Sequence, residues 1–370
     1  MTNAASDRLT RLQAVMRASG IDVLAVVPGA NMRYLAGLEI HLSERIAVAF
    51  FPATGTPAMV LPALETPRAQ AQAAFPIRFY PWDDADGSDG ALSRCVAELG
   101  LAGQQIGVEY TAMRVLELRA IEAAALGARV VDATPMIAEL RMVKDDQELA
   151  AMRRAVAVVE AALGAAVAQI RAGMTERELA TIWEREMRAR GGEPSFGTII
   201  ASGPNAANPH HSNSDRAFQP GDFIIMDGGV WNDGYASDIT RTIALGQPND
   251  QARVIYEIVQ AANAAGRLYS RPEATGEEID HAARKVIVDG GYGQYFIHRT
   301  GHGLGLEIHE PPYIVAGSRQ PLAPGTTFSI EPGVYVEGVC GVRIEDDVVI
   351  TTEGSESLTS FERNLIVVNP

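Results

Sequence analysis

Cysteine is nearly absent: Cys95 and Cys340 are the only two in 370 residues, and they lie far apart. They exclude a disulfide framework and fit a reducing compartment. Basic charge is also in deficit, with 31 Lys and Arg against 46 Asp and Glu and a net charge of −15. No basic stripe offsets that acidity, which argues against a nucleic acid or an anionic membrane as partner. No stretch approaches the ~20 apolar residues of a membrane span. Residues 1–20 contain Asp7, Arg8, Arg11 and Arg17 without an apolar run, so no signal peptide is expected and a cytoplasmic location is predicted. What remains is an ordinary globular composition, 47% hydrophobic and 21% charged, in a chain long enough for two domains.

The first part reads as mixed α/β. Asp7 to Ser19 has helical periodicity and stops at Gly20, and Val23 to Val27 is a buried-strand run. Ile46 to Phe51 and Pro57 to Leu61 predict a hairpin, Ala91 to Leu99 and Ala112 to Ala125 helices, and Ile106 to Glu109 and Arg129 to Asp132 strands. A boundary falls between Asp132 and Asp146, before a long Ala-rich helical pattern that begins near Gln147. The assignment is residues 1–138 for the first domain and 139–370 for the second.

The second part carries a faint duplication. Thr175-x-x-Glu178 and Thr275-x-x-Glu278 are capping-box patterns; each follows an Ala-rich helix and precedes one that ends in Gly-Gly, at Gly191-Gly192 and Gly290-Gly291. Two such copies would place paired helices over a curved sheet, with a site at the centre of pseudo-twofold symmetry.

Two carboxylates stand out. Asp222 to Val230 and Ala236 to Ile243 read as strands around the turn residues Trp231 to Tyr235. A loop at Asn232-Asp233 sets Asp227 opposite Asp238; a loop at Asp233-Gly234 makes them diagonal neighbours on one face. Like charges that close are destabilising unless a cation sits between them. His302 in Gly301-His302-Gly303, Glu331 in Ile330-Glu331-Pro332-Gly333 and Glu345 in Arg343-Ile344-Glu345-Asp346 extend the set. Four carboxylates and one imidazole suit two divalent ions such as manganese, cobalt or zinc, and neither cysteine is needed. Arg343 shares a strand face with Glu345 and can orient carboxylates through paired hydrogen bonds. Two other motifs are set aside. Asp83 to Gly90 lacks the glycine and glutamate of a calcium loop, and Gly301 to Gly305 lacks phosphate-loop spacing; its glycines are expected to let backbone approach the metals.

In order and flanking residues, Asp227, Asp238, His302, Glu331 and Glu345 resemble the pita-bread metallopeptidases, most closely the Xaa-Pro dipeptidases (prolidases) and Xaa-Pro aminopeptidases. The likeness runs from about Leu140 to the C-terminus, and more loosely before it. It implies an α/β (α+β) fold in which a creatinase-like mixed α/β domain precedes a pseudo-symmetric pita-bread catalytic domain. It implies hydrolysis of the bond before proline in a di- or oligopeptide, by a hydroxide bridging two metal ions, manganese foremost. Asp238 and Glu345 would be shared between the ions, with Asp227 on one and His302 and Glu331 on the other. Glu331 would also shuttle the proton. His210 and His309 match pocket histidines near the substrate and the tetrahedral intermediate, and His298 and Tyr335 match residues around them. Arg319 falls where prolidases hold the substrate carboxylate. A homodimer is expected, with the N-terminal domain at the mouth of the site. Related folds hydrolyse other C–N bonds, as creatinase and ectoine hydrolase do, or serve as non-catalytic binding proteins. Creatinase lacks the metal ligands and binding proteins typically lose them, whereas all five stand here.

Overall fold

The computed structural model describes residues 4–370. It divides into two compact units, one ending at Arg141 and one from Met142 to Pro370.

In the first unit, β1 (Val23–Val26), β2 (Val48–Pro52), β3 (Ala58–Pro62), β4 (Arg78–Trp82), β5 (Gln105–Val108) and β6 (Arg129–Asp132) form one sheet in the order β4-β3-β2-β1-β5-β6. The predicted hairpin is antiparallel β2–β3, and β1 runs parallel to β5. The strands are apolar runs because helices cover the sheet; Val48, Phe50, Leu92, Val96, Ile106 and Ile121 pack into its core. Helices α1 (Ala4–Ser19), α4 (Asp89–Leu99) and α5 (Val115–Ala124) were legible from periodicity. The short helices α2 (Ala30–Ala36), α3 (Thr66–Gln72) and α6 (Thr134–Met142) were not, nor was β4. Strand β4 contains Pro81, and a proline is tolerated there because β4 is the edge of the sheet.

The second unit is built twice over. Helices α7 (Asp146–Val167) and α8 (Glu176–Ala189) cover a sheet ordered β20-β12-β9-β8, from β8 (Ile199–Ser202), β9 (Phe223–Gly228), β12 (Ile239–Leu245) and β20 (Ile366–Val368). Between them in sequence lie β7 (Glu193–Pro194), β10 (Val230–Asn232) and β11 (Tyr235–Ala236), a small sheet of their own. Helices α9 (Asp250–Tyr269) and α10 (Gly276–Asp289) precede β13 (Gly301–Gly303), β14 (Glu310–Ile314), β15 (Thr327–Ile330), β18 (Asp346–Ile350) and β19 (Ser355–Ser357), a sheet ordered β14-β13-β15-β18-β19. Between β15 and β18 the chain forms the hairpin of β16 (Gly333–Val336) and β17 (Cys340–Arg343).

Both predicted capping boxes are formed, at Thr175 and Glu178 and at Thr275 and Glu278. The correspondence extends to the strands they touch. Met174 exchanges backbone contact with Phe218 as Ala274 does with Leu322, and Gly191 and Gly291 both take positive φ after their helices, 83° and 85°. A side chain is strained there, so glycine closes both helices. Trp183, Leu163 and Met226 are fully buried in the core of the first half, Ile279, Phe328 and Ile330 in that of the second. Burial stabilises each such side chain by about 1.5–3 kcal/mol.

Buried Asp346 ties the C-terminal segment to these strands. Its carboxylate meets Arg241 at 2.9 Å, Arg363 at 2.9 Å and Arg267 at 3.5 Å. Burial opposes its ionisation, but the arginines, Arg241 foremost, outweigh that and hold its pKa at about 2. An unfolded aspartate titrates near ~3.9, so this contribution is fully present above that pH and is lost as pH falls through about 2. Asp346→Asn is therefore expected to lower stability by about 3 kcal/mol near neutral pH, because three guanidiniums lose their counter-charge. In thermal melts the gap from the parent should close between pH 4 and 2; a constant gap would contradict this.

Candidate metal centre

The hairpin forms with its loop at Asp233-Gly234, where φ is 48° and 77°. Thr240 therefore faces Asp227, Asn232 faces Tyr235, and Asp238 is diagonal to Asp227. Of the two registers open to the sequence, the structure takes the diagonal one. Asn232-Asp233 would have put the left-handed requirement on Asn232 and removed glycine from the turn, whereas Gly234 accepts it without strain.

Asp227, Asp238, His302, Glu331 and Glu345 line one cleft of about 730 Å3, together with His210, His298, His309 and Arg343. Single donor atoms of Asp238, His302 and Glu345 lie within 4.8 Å of one another. Glu331 Oε1 is 3.4 Å from His302 Nε2. Main-chain bonds fix three of the carboxylates: Glu331 N donates to Thr300 O, Glu345 N to Thr240 O, and Asp238 N to Asp347 Oδ2. His302 and Glu331 meet because β13 pairs with β15, and main chain must come very close for that. A Cβ on Gly301 would lie 1.8 Å from Ser329 O, and one on Gly303 would lie 2.3 Å from Pro311 O. These glycines admit the close approach of neighbouring backbone.

Around the acids stands a polar lattice. Arg343 donates to Asp227 Oδ2 at 2.5 Å, to Thr240 Oγ1 and to the Tyr335 hydroxyl. Thr240 in turn donates to Glu345 Oε2 at 2.6 Å. Tyr335 lies beneath the cleft, and its hydroxyl is 2.9 Å from His298 Nε2. The His309 and His302 rings sit edge to face, 4.2 Å between centroids. The residue after His309, Glu310, makes a buried ion pair with Lys144 at 2.6 Å.

Arg319 does not join the cleft. It is 79% exposed and pairs with Glu277 in the first turn of α10, where a carboxylate favours the helix N-terminus and the cation follows it. The expectation that Arg319 belongs to the substrate site is corrected. The cation that lines the cleft besides Arg343 is Arg299, three residues before His302, with its guanidinium over the Tyr313 ring. Phe196, Ile199, Pro209 and Ile308 supply the apolar wall. No motif marks these residues; Arg299 alone could have been suspected, as a cation in the Arg299-Thr300-Gly301-His302 run.

The electrostatics suit a cation. Burial first, then mutual repulsion among Asp227, Glu331, Glu345 and Asp238, pushes Asp238 and Glu345 well above the usual carboxylate range and Glu331 up to about 7. Burial likewise lowers His302 to about 3, leaving its ring neutral and able to ligate. Asp238 Oδ1 is buried without any hydrogen-bond partner. An orphaned carboxylate oxygen amid hard oxygen and imidazole donors fits a divalent ion, whose charge would remove the cost.

Residues 150–352 match the sequence profile of metallopeptidase family M24, and residues 8–143 match that of the creatinase/prolidase N-terminal domain. The chain belongs to metallopeptidase family M24. It is 38% identical to the "Probable dipeptidase PepE" of Mycobacterium tuberculosis over 98% of this chain and 96% of the relative. It is 36% identical to the Xaa-Pro dipeptidase of Lactobacillus delbrueckii subsp. lactis over 97% and 98%. The crystal structure of dipeptidase PepE from Mycobacterium ulcerans superposes with a TM-score of 0.93 at 37% identity, covering 99% of this chain and 98% of that one. The chain is thus a metallopeptidase whose family implies divalent metal, with a creatinase-type N-terminal domain before a pseudo-symmetric M24 domain. Among the described residues no helix is long and apolar enough to cross a membrane.

Metal binding to this cluster should release protons. With Asp238, Glu345 and Glu331 raised, the metal-free site holds protons near neutrality that a divalent ion must displace. Calorimetric titration of chelated protein with zinc, in buffers of different ionisation enthalpy, should show proton release that grows from pH 8 to pH 6 while affinity falls. A buffer-independent enthalpy would contradict it.

Proposed function

We propose that the chain is an Xaa-Pro dipeptidase that hydrolyses the imide bond before proline, with two divalent ions, manganese foremost, held by Asp227, Asp238, His302, Glu331 and Glu345. The observation that carries this reading is that all five donors, three further imidazoles and two guanidiniums, those of Arg299 and Arg343, line one cleft. Near full-length similarity to a protein named Xaa-Pro dipeptidase supports the substrate class.

When bound, the ions supply a nucleophile from water at neutral pH and polarise the scissile carbonyl. The chain's own groups do the rest. Glu331, with its pKa near 7, can take a proton and return it to the leaving imide nitrogen. His309 is kept neutral by burial and by Arg299, and donates an N–H where charge develops on the carbonyl oxygen. His298, lowered to about 4 by burial, is likewise neutral, and Tyr335 fixes its ring. His210 bounds the cleft on the opposite loop. Proline has no amide N–H to satisfy, so apolar walls such as Phe196, Ile199, Pro209 and Ile308 can receive it without an acceptor. Arg299 offers the substrate's free carboxylate a charged partner, the role that the resemblance had implied for Arg319.

Chelated protein is expected to be inactive and to regain cleavage of an Xaa-Pro dipeptide with manganese, more than of Xaa-Pro-Yaa or longer peptides. Preference for longer peptides would indicate an aminopeptidase. Metal-dependent binding without cleavage would overturn the peptidase reading in favour of another C–N substrate. Glu331→Gln should lower kcat by about 10²–10⁴-fold. Arg299→Ala should raise KM for the dipeptide by about 10-fold or more, as a charged hydrogen bond is worth ~1.5–3 kcal/mol. KM for the C-terminally amidated dipeptide should barely change; an equal rise for both would remove Arg299 from carboxylate binding.

A further inference from the structure

We infer that Glu176, acting through His211 and Ser214, is a positioning residue that aims His210 into the cleft. The inference rests on the reading that His210 works on the peptide. Glu176 is the first residue of α8, is fully buried and stands outside the cleft lining. Its carboxylate accepts six hydrogen bonds: from the Ser202 N–H and hydroxyl, the Asn205 amide, the Ser214 N–H and hydroxyl, and His211 Nε2 at 2.7 Å. All six donors come from the segment 202–214, the one that carries His210.

His210 needs such an anchor. It is exposed, and among the described residues its ring has no hydrogen-bond partner; only its N–H is held, by Asn208 Oδ1. Its direction therefore follows from the backbone around it. That backbone is clamped on one side by the Asn208 turn and on the other by His211 and Ser214, both bonded to Glu176 Oε2. Burial opposes the charge on Glu176, but the bonds from Ser214, Asn205, His211 and Ser202 prevail and keep its pKa at about 2. It is a full carboxylate throughout any working pH range.

The duplicated half shows that the scaffold does not require this acid. The residue 100 positions later is Gly276, also first in its helix, where a Cβ would lie 2.5 Å from Tyr313 O. Both helices form with the same capping box. The carboxylate is therefore not part of the shared helix start; in the first half it serves the segment 202–214, which carries His210.

Glutamine at position 176 keeps the shape but turns one oxygen into a donor, which then confronts N–H and O–H groups that already donate. In the metal-loaded protein, Glu176→Gln should lower kcat/KM for an Xaa-Pro dipeptide about 10–100-fold, the size of effect that a 1 Å misplacement produces. Metal content should be unchanged. In a His210→Ala background the same substitution should change kcat/KM by less than 2-fold. His211→Phe should reproduce the loss, and His211→Gln, which keeps an N–H donor, should restore most of it. Losses that multiply between positions 176 and 210 would mean that Glu176 only supports the fold, and would overturn the inference, as would a His210→Ala enzyme of undiminished activity. A readout independent of turnover separates this from failure of the peptidase reading. In zinc-loaded protein with 15N-labelled histidine, Glu176→Gln should shift or broaden the ring signals of His210. Unmoved signals would overturn the inference whatever the enzyme cleaves.

Discussion

Acid side chains crowded into one cleft, with a single guanidinium bonded into their midst, set the terms for the second unit. Asp227, Asp238 and Glu345 are buried and Glu331 is slightly exposed at the cleft. Such charges cost several kcal/mol each unless paired or solvated. Arg343 compensates Asp227, Thr240 bonds Glu345, and among the described residues Asp238 Oδ1 has no hydrogen-bond partner. The fold thus carries a deficit of positive charge where a metallopeptidase of this family calls for cations. The next layer relieves strain of the opposite sign. Asp346, adjacent to Glu345, meets three arginines, and Arg241 also donates to the Glu345 carbonyl, so the backbone that presents Glu345 is fixed from behind.

The duplicated scaffold explains how residues spread from 227 to 345 converge. Two helix pairs with the same caps and the same glycine stops cover two sheets, and each sheet sends strand ends toward one centre. The halves then diverge in what they add. The first supplies the aspartate hairpin and the loop of His210, anchored on Glu176. The second supplies His302, Glu331 and His309. Symmetry builds the platform, and chemistry depends on the asymmetry laid over it.

Much of this was legible beforehand because it is local. The Thr-x-x-Glu boxes announce helix starts through bonds within four residues, and the apolar run Phe223 to Met226 announces a buried strand. Asp233-Gly234 was a visible turn signal, although the choice between two adjacent loops rested on which residue tolerates positive φ. The short helices α2 and α3 escaped because seven residues carry too little periodicity. Arg319 was misplaced because its position depends on where the 315–325 segment docks, and docking beside Glu277 leaves no local signature. Arg299 and the apolar wall escaped for the same reason.

The sequence by itself determined that this protein has two domains, a duplicated second half and a hard-donor set of four carboxylates and one histidine, because each is written in spacing, capping or residue type. Only the tertiary structure decided which cation enters the cleft, which register the aspartates take, and that Glu176 holds the segment of His210 from outside it. Those depend on contacts between segments tens to hundreds of residues apart. Their energies come from burial and geometry, neither of which a linear string records.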